Sequence, residues 1–278
     1  MHSNLFLRIV SSIVFVPIVL GAIWYGRSVY EDYSIPLFNI FLVCLGAGLS
    51  WEWDTMFHKK ITIHSVLLTV LSALIVFITE DRPAFALWLI LAGTALVFYK
   101  TKGALLFSFG AAYIGLPLTA LSYLYHTNGH VSREIVLWLF FVVWATDVGG
   151  YVVGKSVGGP KLAPRISPKK TWAGLIGAVL FAMSVAYIFA LYLKAHGYMT
   201  GDFIFNTKIL VISSGILAII SQTGDLFESY IKRKLGLKDS SDIIPGQGGL
   251  FDRFDGLIFA ACAIAVAVAL LGESWWTP

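Results

Sequence analysis

The chain has 278 residues, 58% of them hydrophobic and only 13% charged, against about 45 to 50% apolar (glycine included) and about 25% charged in an average soluble domain. With a mean hydropathy of +0.79 and apolar runs from one end to the other, it reads as an integral membrane protein, which excludes a soluble globular domain, a nucleic-acid binder and a disordered segment. The formal net charge of +4 is too small to mark a polyanion binder, so the placement of the charges matters more than their sum.

Nine stretches have the length needed to cross about 30 Å of hydrocarbon: residues 5–25, 35–51, 61–79, 84–99, 104–124, 134–153, 172–193, 208–230 and 255–272. The first lacks a small-x-small cleavage site at Gly21 to Tyr25 and is followed directly by another span, so it reads as a retained helix. Continuous apolar runs containing Gly46-Ala47 or Gly174 with Gly177 suit helices and not barrel strands. The expected fold is therefore all-α, a polytopic integral membrane protein of about nine transmembrane helices in a single domain, residues 1–278. Within it, spans in 1–125 are expected to form a scaffold and spans in 134–272 the catalytic part, with cytoplasmic loops 154–171 and 231–254.

Lys and Arg fall unevenly on the two sets of loops. The even loops hold 14, Lys232, Arg233, Lys234, Lys238 and Arg253 among them, and the odd loops hold 5. The positive-inside rule then puts the N-terminus and the long basic loops in the cytoplasm and the tail after Glu273 outside. Cys44 and Cys262 lie inside apolar runs and read as packing residues. The six histidines show no metal-ligand spacing.

Span six ends Asp147-Val148-Gly149-Gly150-Tyr151-Val152-Val153-Gly154-Lys155-Ser156, and Gly149 to Ser156 satisfies the P-loop pattern. No strand precedes it and Gly159-Pro160 follows too soon for the next helix, so a glycine-rich helix end that brings Asp147 and Lys155 toward a ligand is the better reading. Asp147 could equally snorkel to the interface. The loop beyond carries Lys161, Arg165, Lys169 and Lys170 between Pro160 and Thr171. Such a stretch serves either as a topology determinant attracted to anionic lipid or as a phosphate site, and the interleaved Ser167 and Thr171 favour phosphate.

Span eight ends with Ser221, Asp225, Glu228, Ser229 and Lys232 at helical spacing, one polar stripe running from membrane depth into the loop. An intramembrane carboxylate needs a cation or an ion partner, although a helix end in the headgroup zone also accounts for Glu228 and Lys232. Span nine opens Asp252-Arg253-Phe254-Asp255. Helix capping accounts for one of these carboxylates, and two of them opposite Asp225 suit hard oxygen ligation of Mg²⁺. Between the spans, Lys238-Asp239 and the glycines of Pro245-Gly246-Gln247-Gly248-Gly249 suit phosphate, or form no more than a turn.

Taken together, Ser229-x-Ile231-Lys232-Arg233, Lys238-Asp239, Pro245-Gly246-x-Gly248-Gly249 and Asp252-Arg253-x-Asp255 closely resemble the pattern of phosphatidate cytidylyltransferases, also called CDP-diacylglycerol synthases. Ser167-Pro168-Lys169-Lys170-Thr171-Trp172 resembles a second segment of that family. The resemblance implies that CTP and phosphatidic acid react to give CDP-diacylglycerol and pyrophosphate with Mg²⁺, beside which a second cation is compatible. It implies a catalytic set of Asp225, Asp252, Asp255 and Lys232. The cation would be held by Asp225, Asp252 and Asp255, with Asp147 and Glu228 as further candidates. Substrate binding would fall to Lys155, Arg165, Ser167, Lys169, Lys170, Thr171, Ser229, Arg233, Lys238, Asp239, Gln247, Gly248, Gly249 and Arg253. Gln247 stands where the family usually has His, an exchange that a hydrogen-bonding role survives and a proton-carrying one does not. Membrane lipids are the expected partners, with no nucleic acid and with a homo-oligomer allowed, in a bacterial inner membrane. The alternatives are a CTP-dependent lipid kinase, which product analysis would separate, and a secondary transporter, which would more often show paired broken helices.

Overall fold

The computed structural model describes residues 15–25, 37–127, 132–196, 206–244 and 248–272. Each expected span contains a described helix, residues 5–14 of the first and 35–36 of the second lying outside the described residues: α1 (Phe15–Trp24), α2 (Leu37–His58), α3 (Ile63–Asp81), α4 (Pro83–Lys100), α5 (Leu105–Thr127), α6 (Ser132–Val157), α7 (Trp172–Ala195), α8 (Thr207–Lys234) and α9 (Phe251–Leu271). Among the described residues, α3 to α9 are long and apolar enough to cross a membrane. The architecture is all-α and polytopic, with one small addition. An antiparallel hairpin, β1 (Lys161–Ala163) and β2 (Ser167–Thr171), stands between α6 and α7.

The chain divides into two compact units, residues 1–133 with 232–254, and residues 134–231 with 255–278. In the first, α2 packs on α3 and α5, and α4 on α3 and α5. The turn from α2 to α3 is fixed by buried Asp54, which accepts from the Thr62 amide at 2.5 Å and hydroxyl at 2.9 Å and stands 2.7 Å from His58 Nδ1. Thr62 in turn caps α3, its hydroxyl accepting from the His64 amide.

The second unit is held by close backbone approach. A Cβ on Gly149 of α6 would lie 2.6 Å from the Gly177 carbonyl of α7, and one on Gly174 would lie 2.9 Å from the Gly150 carbonyl. Small residues bring helices together where lipid supplies no hydrophobic drive between them. The α8–α9 contact follows the same rule, with Gly224 against the Asp255 backbone and Gly256 against Ser221. Trp138 Nε1 donates to Ser214 Oγ at 2.9 Å, tying α6 to α8.

Both long loops are shorter than the sequence suggested. Helix α6 continues to Val157, so Gly149 to Ser156 is helical and not a phosphate loop, and it stops where Gly158 and Gly159 take φ of +68° and +92°. Helix α8 runs on to Lys234 and closes with the paired bonds of a Schellman turn, Leu237 N to Lys232 O and Gly236 N to Arg233 O. Helix α9 begins at Phe251, ahead of the expected 255, which puts Asp252 in its first turn.

Candidate active site

In the unit built from residues 134–231 and 255–278, a cavity of 640 Å³ opens beside the α6–α7 glycine seam. The close approach at Gly150, Gly154 and Gly174 brings backbone to its lining, and polar side chains are added from α6, the hairpin and α8. Helix α6 supplies Asp147, Tyr151 and Lys155, the hairpin supplies Lys161 and Ser167 to Lys170, and α8 supplies Gln222 and Asp225.

Lys170 is the best-defined cation of the cavity. Its Nζ lies 2.5 Å from Asp225 Oδ2 and donates to Gln222 Oε1 at 2.8 Å. Lys155 lies over the Tyr151 ring, 5.5 Å from its centroid. Four lysines, Lys155 from α6 and Lys161, Lys169 and Lys170 from the hairpin, line the cavity, and an ammonium is a compact charge suited to phosphate.

The acidic side is concentrated at the α8–α9 contact. The charges acting on Asp255 are those of Asp225, Asp147 and Glu228, all acidic. Asp255 Oδ1 accepts from the Gly256 amide at 2.7 Å, and Ser229 Oγ donates to Asp225 at 3.4 Å. Among the described residues no three acidic, histidine or cysteine side chains converge as a ready-made cation cage. Mg²⁺ does not require one, because it is commonly held by one or two carboxylates with water and substrate phosphate completing the shell. The donor set therefore fits a hard divalent cation.

Asp252 has other partners, all within the unit of residues 1–133 and 232–254. Its Oδ1 pairs with Lys232 Nζ, and its Oδ2 accepts from the Ser240 amide and hydroxyl, both at 2.9 Å, and from the Gly249 amide at 2.8 Å. Asp225 and Asp255 are thus neighbours within one unit, and in the other Asp252 ties Lys232 to Ser240 and Gly249.

The remaining sequence candidates are distributed as follows. Thr171 lines the cavity but is buried as the cap of α7, accepting from the Gly174 amide at 3.0 Å. Arg165 is exposed at the hairpin turn, outside the cavity lining. Arg233 donates to the Leu237 carbonyl at 2.8 Å, and Lys238, Asp239 and Arg253 are exposed. Gly248 bridges to Ile244, and Gln247 lies outside the described residues.

Three residues escaped the sequence reading. Gln222 and Tyr151 have no distinguishing signal in sequence, but Glu52 had one. It is a fully buried carboxylate in an apolar helix, and the expected span 35–51 ended one residue before it.

Residues 6–271 match the Cytidylyltransferase family. The chain belongs to that family. A phosphatidate cytidylyltransferase of Rickettsia felis is 34% identical over 93% of this chain and 89% of its own length. One of Brucella suis is 35% identical over 98% of this chain and 96% of its own length. The family match takes in both units and every residue lining the cavity.

Proposed function

We propose that this membrane cytidylyltransferase joins CTP to phosphatidic acid, giving CDP-diacylglycerol and pyrophosphate. The observation that carries the reading is the cavity in which four lysines face the carboxylates of Asp147 and Asp225 within a membrane-spanning unit, so that a diacyl substrate would reach it from the bilayer.

The chemistry asks little of a general base. A phosphate oxygen of phosphatidate, already ionised at neutral pH, attacks the α-phosphorus of CTP and forms the new phosphoanhydride. The α–β bond breaks, and pyrophosphate leaves with the electron pair. Positioning and charge neutralisation supply the catalysis. Lys155, Lys161, Lys169 and Lys170 would hold phosphate oxygens, and Ser167 would donate to them. Asp225 and Asp255 would hold Mg²⁺, with Asp147 and Glu228 beside them and donors of the same kind for a second cation. Bound there, the cation would neutralise charge on the transferring and leaving phosphates. Among residues 232–254, Lys232 and the exposed Lys238 and Arg253 carry the charges that would suit a nucleotide phosphate. The charge bias of the loops supports an inner-membrane orientation with the N-terminus and these loops cytoplasmic and the C-terminus outside.

The test is the purified protein in mixed micelles with CTP, phosphatidic acid and Mg²⁺, with both products quantified. Equal amounts of CDP-diacylglycerol and pyrophosphate are expected. Consumption of CTP without a CDP-lipid would reject the reading.

A further inference from the structure

Glu52 lies on α2 with no exposed surface. A carboxylate in such a place costs several kcal/mol unless it is hydrogen-bonded or paired. Its partners all come from one distant stretch of chain. Oε1 accepts from the Leu250 amide at 2.7 Å and the Ser241 hydroxyl at 2.5 Å, while Oε2 accepts from the Phe251 amide at 2.9 Å and lies 3.1 Å from Ser240 Oγ. One side chain thus satisfies the opening amides of α9 and the Ser241 hydroxyl, with Ser240 Oγ beside it, a task that helices ordinarily give to a local cap.

The surroundings are shaped for this contact. A Cβ on Gly249 would lie 2.8 Å from the Glu52 carboxyl carbon and would collide with Ser240 Oγ. One turn before Glu52, a Cβ on Gly48 would collide with the Leu250 side chain. Phe251 is gripped from the scaffold side as well, stacked on Tyr113 at 5.6 Å and beside Trp53 at 5.7 Å. Ser240 is the joint between two carboxylates, because its hydroxyl faces Glu52 and also Asp252, which pairs with Lys232.

We propose that Glu52 is a positioning residue for the transferase reaction: it holds residues 240–241 and 249–251 against α2, and through Ser240 and Asp252 it fixes Lys232 to receive a nucleotide phosphate. This inference rests on the transferase reading. A residue needed only to pack α2 would be apolar, and one needed only to cap α9 would not engage the Ser241 hydroxyl ten residues upstream.

The experiment compares the full-length protein with Glu52→Gln, Ser241→Ala and Gly249→Ala, measuring the thermal midpoint, KM for CTP and amide hydrogen exchange. Glu52→Gln keeps the volume but turns an amide toward two donors. It is expected to raise KM for CTP about tenfold, a change that a mere loss of active molecules does not produce. Exchange should accelerate in residues 240–244 and 248–251 while the amides of α3 to α5 stay protected. Ser241→Ala should fall between wild type and Glu52→Gln. Glu52→Gln combined with Gly249→Ala should cost less than the product of the two single effects, because both break the same contact. An unchanged KM despite faster local exchange, or exchange rising throughout α3 to α5, would overturn the proposal. A wild-type protein inactive with CTP and phosphatidic acid would refute the transferase reading instead, and the exchange data would still decide whether Glu52 holds the loop.

Discussion

Lys170 Nζ stands 2.5 Å from Asp225 Oδ2, joining the second residue of the Lys169-Lys170 pair to the α8 carboxylate within one cavity. The two are 55 positions apart in sequence, and the hairpin brings them together: Ser167 pairs with Ala163 and Thr171 with Lys161, and Thr171 then starts α7 as its cap. Lys170 is expected to exchange Asp225 for a substrate phosphate. Lys170→Met should lower kcat by about 100-fold, the scale seen when one preorganised donor to a developing charge is removed. Steady-state kinetics in micelles would check it.

Asp225→Asn and Asp255→Asn each remove a charge with little change of volume. Each folded variant should keep less than about a tenth of the wild-type rate, a barrier increase above about 1.4 kcal/mol. Chelation with EDTA should stop turnover in the wild type, and excess Mg²⁺ should restore it. Retained activity in EDTA would remove the cation from the account.

The glycine seam makes a prediction about stability. A Cβ on Gly177 would meet the Val153 side chain and lie 2.9 Å from the Gly149 carbonyl. Gly177→Leu should therefore lower the thermal midpoint in detergent and destabilise the protein by at least about 1 to 3 kcal/mol, the usual range for overpacking. Thr171→Ala, which deletes only the cap on Gly174, should cost about 1 kcal/mol.

The spans were legible because continuous apolar runs of helical length leave few other structures open in a bilayer, and each of the nine runs does contain a helix. The site was legible in part. Asp225, Glu228 and Ser229 lie at helical spacing, so α8 alone makes them neighbours, and charges inside apolar runs are conspicuous. The partners of Asp252 were not legible. Its role depends on Ser240 and Gly249 folding back on it, which loop sequence does not encode locally. Glu52 was missed because hydropathy ended span two just before it, so a buried acceptor was assigned to the loop. The glycine-rich end of α6 was correctly kept from a phosphate-loop reading, and its glycines instead admit α7.

Orientation depends on where the 14 cations of the even loops lie. A reporter fused after Pro278 should signal outside the cytoplasm, and one inserted in the hairpin turn at Arg165 should signal inside. The reverse pattern at either site would change the count of spans that cross.

The position of the label after reaction with CTP tests the central claim most directly. With CTP labelled at the α-phosphorus, the label should move into the lipid product, and with CTP labelled at the γ-phosphorus it should leave wholly in pyrophosphate. Transfer of the γ-label to the lipid would mean phosphorylation by a CTP-dependent lipid kinase, and would contradict cytidylyl transfer as the reaction of this cavity.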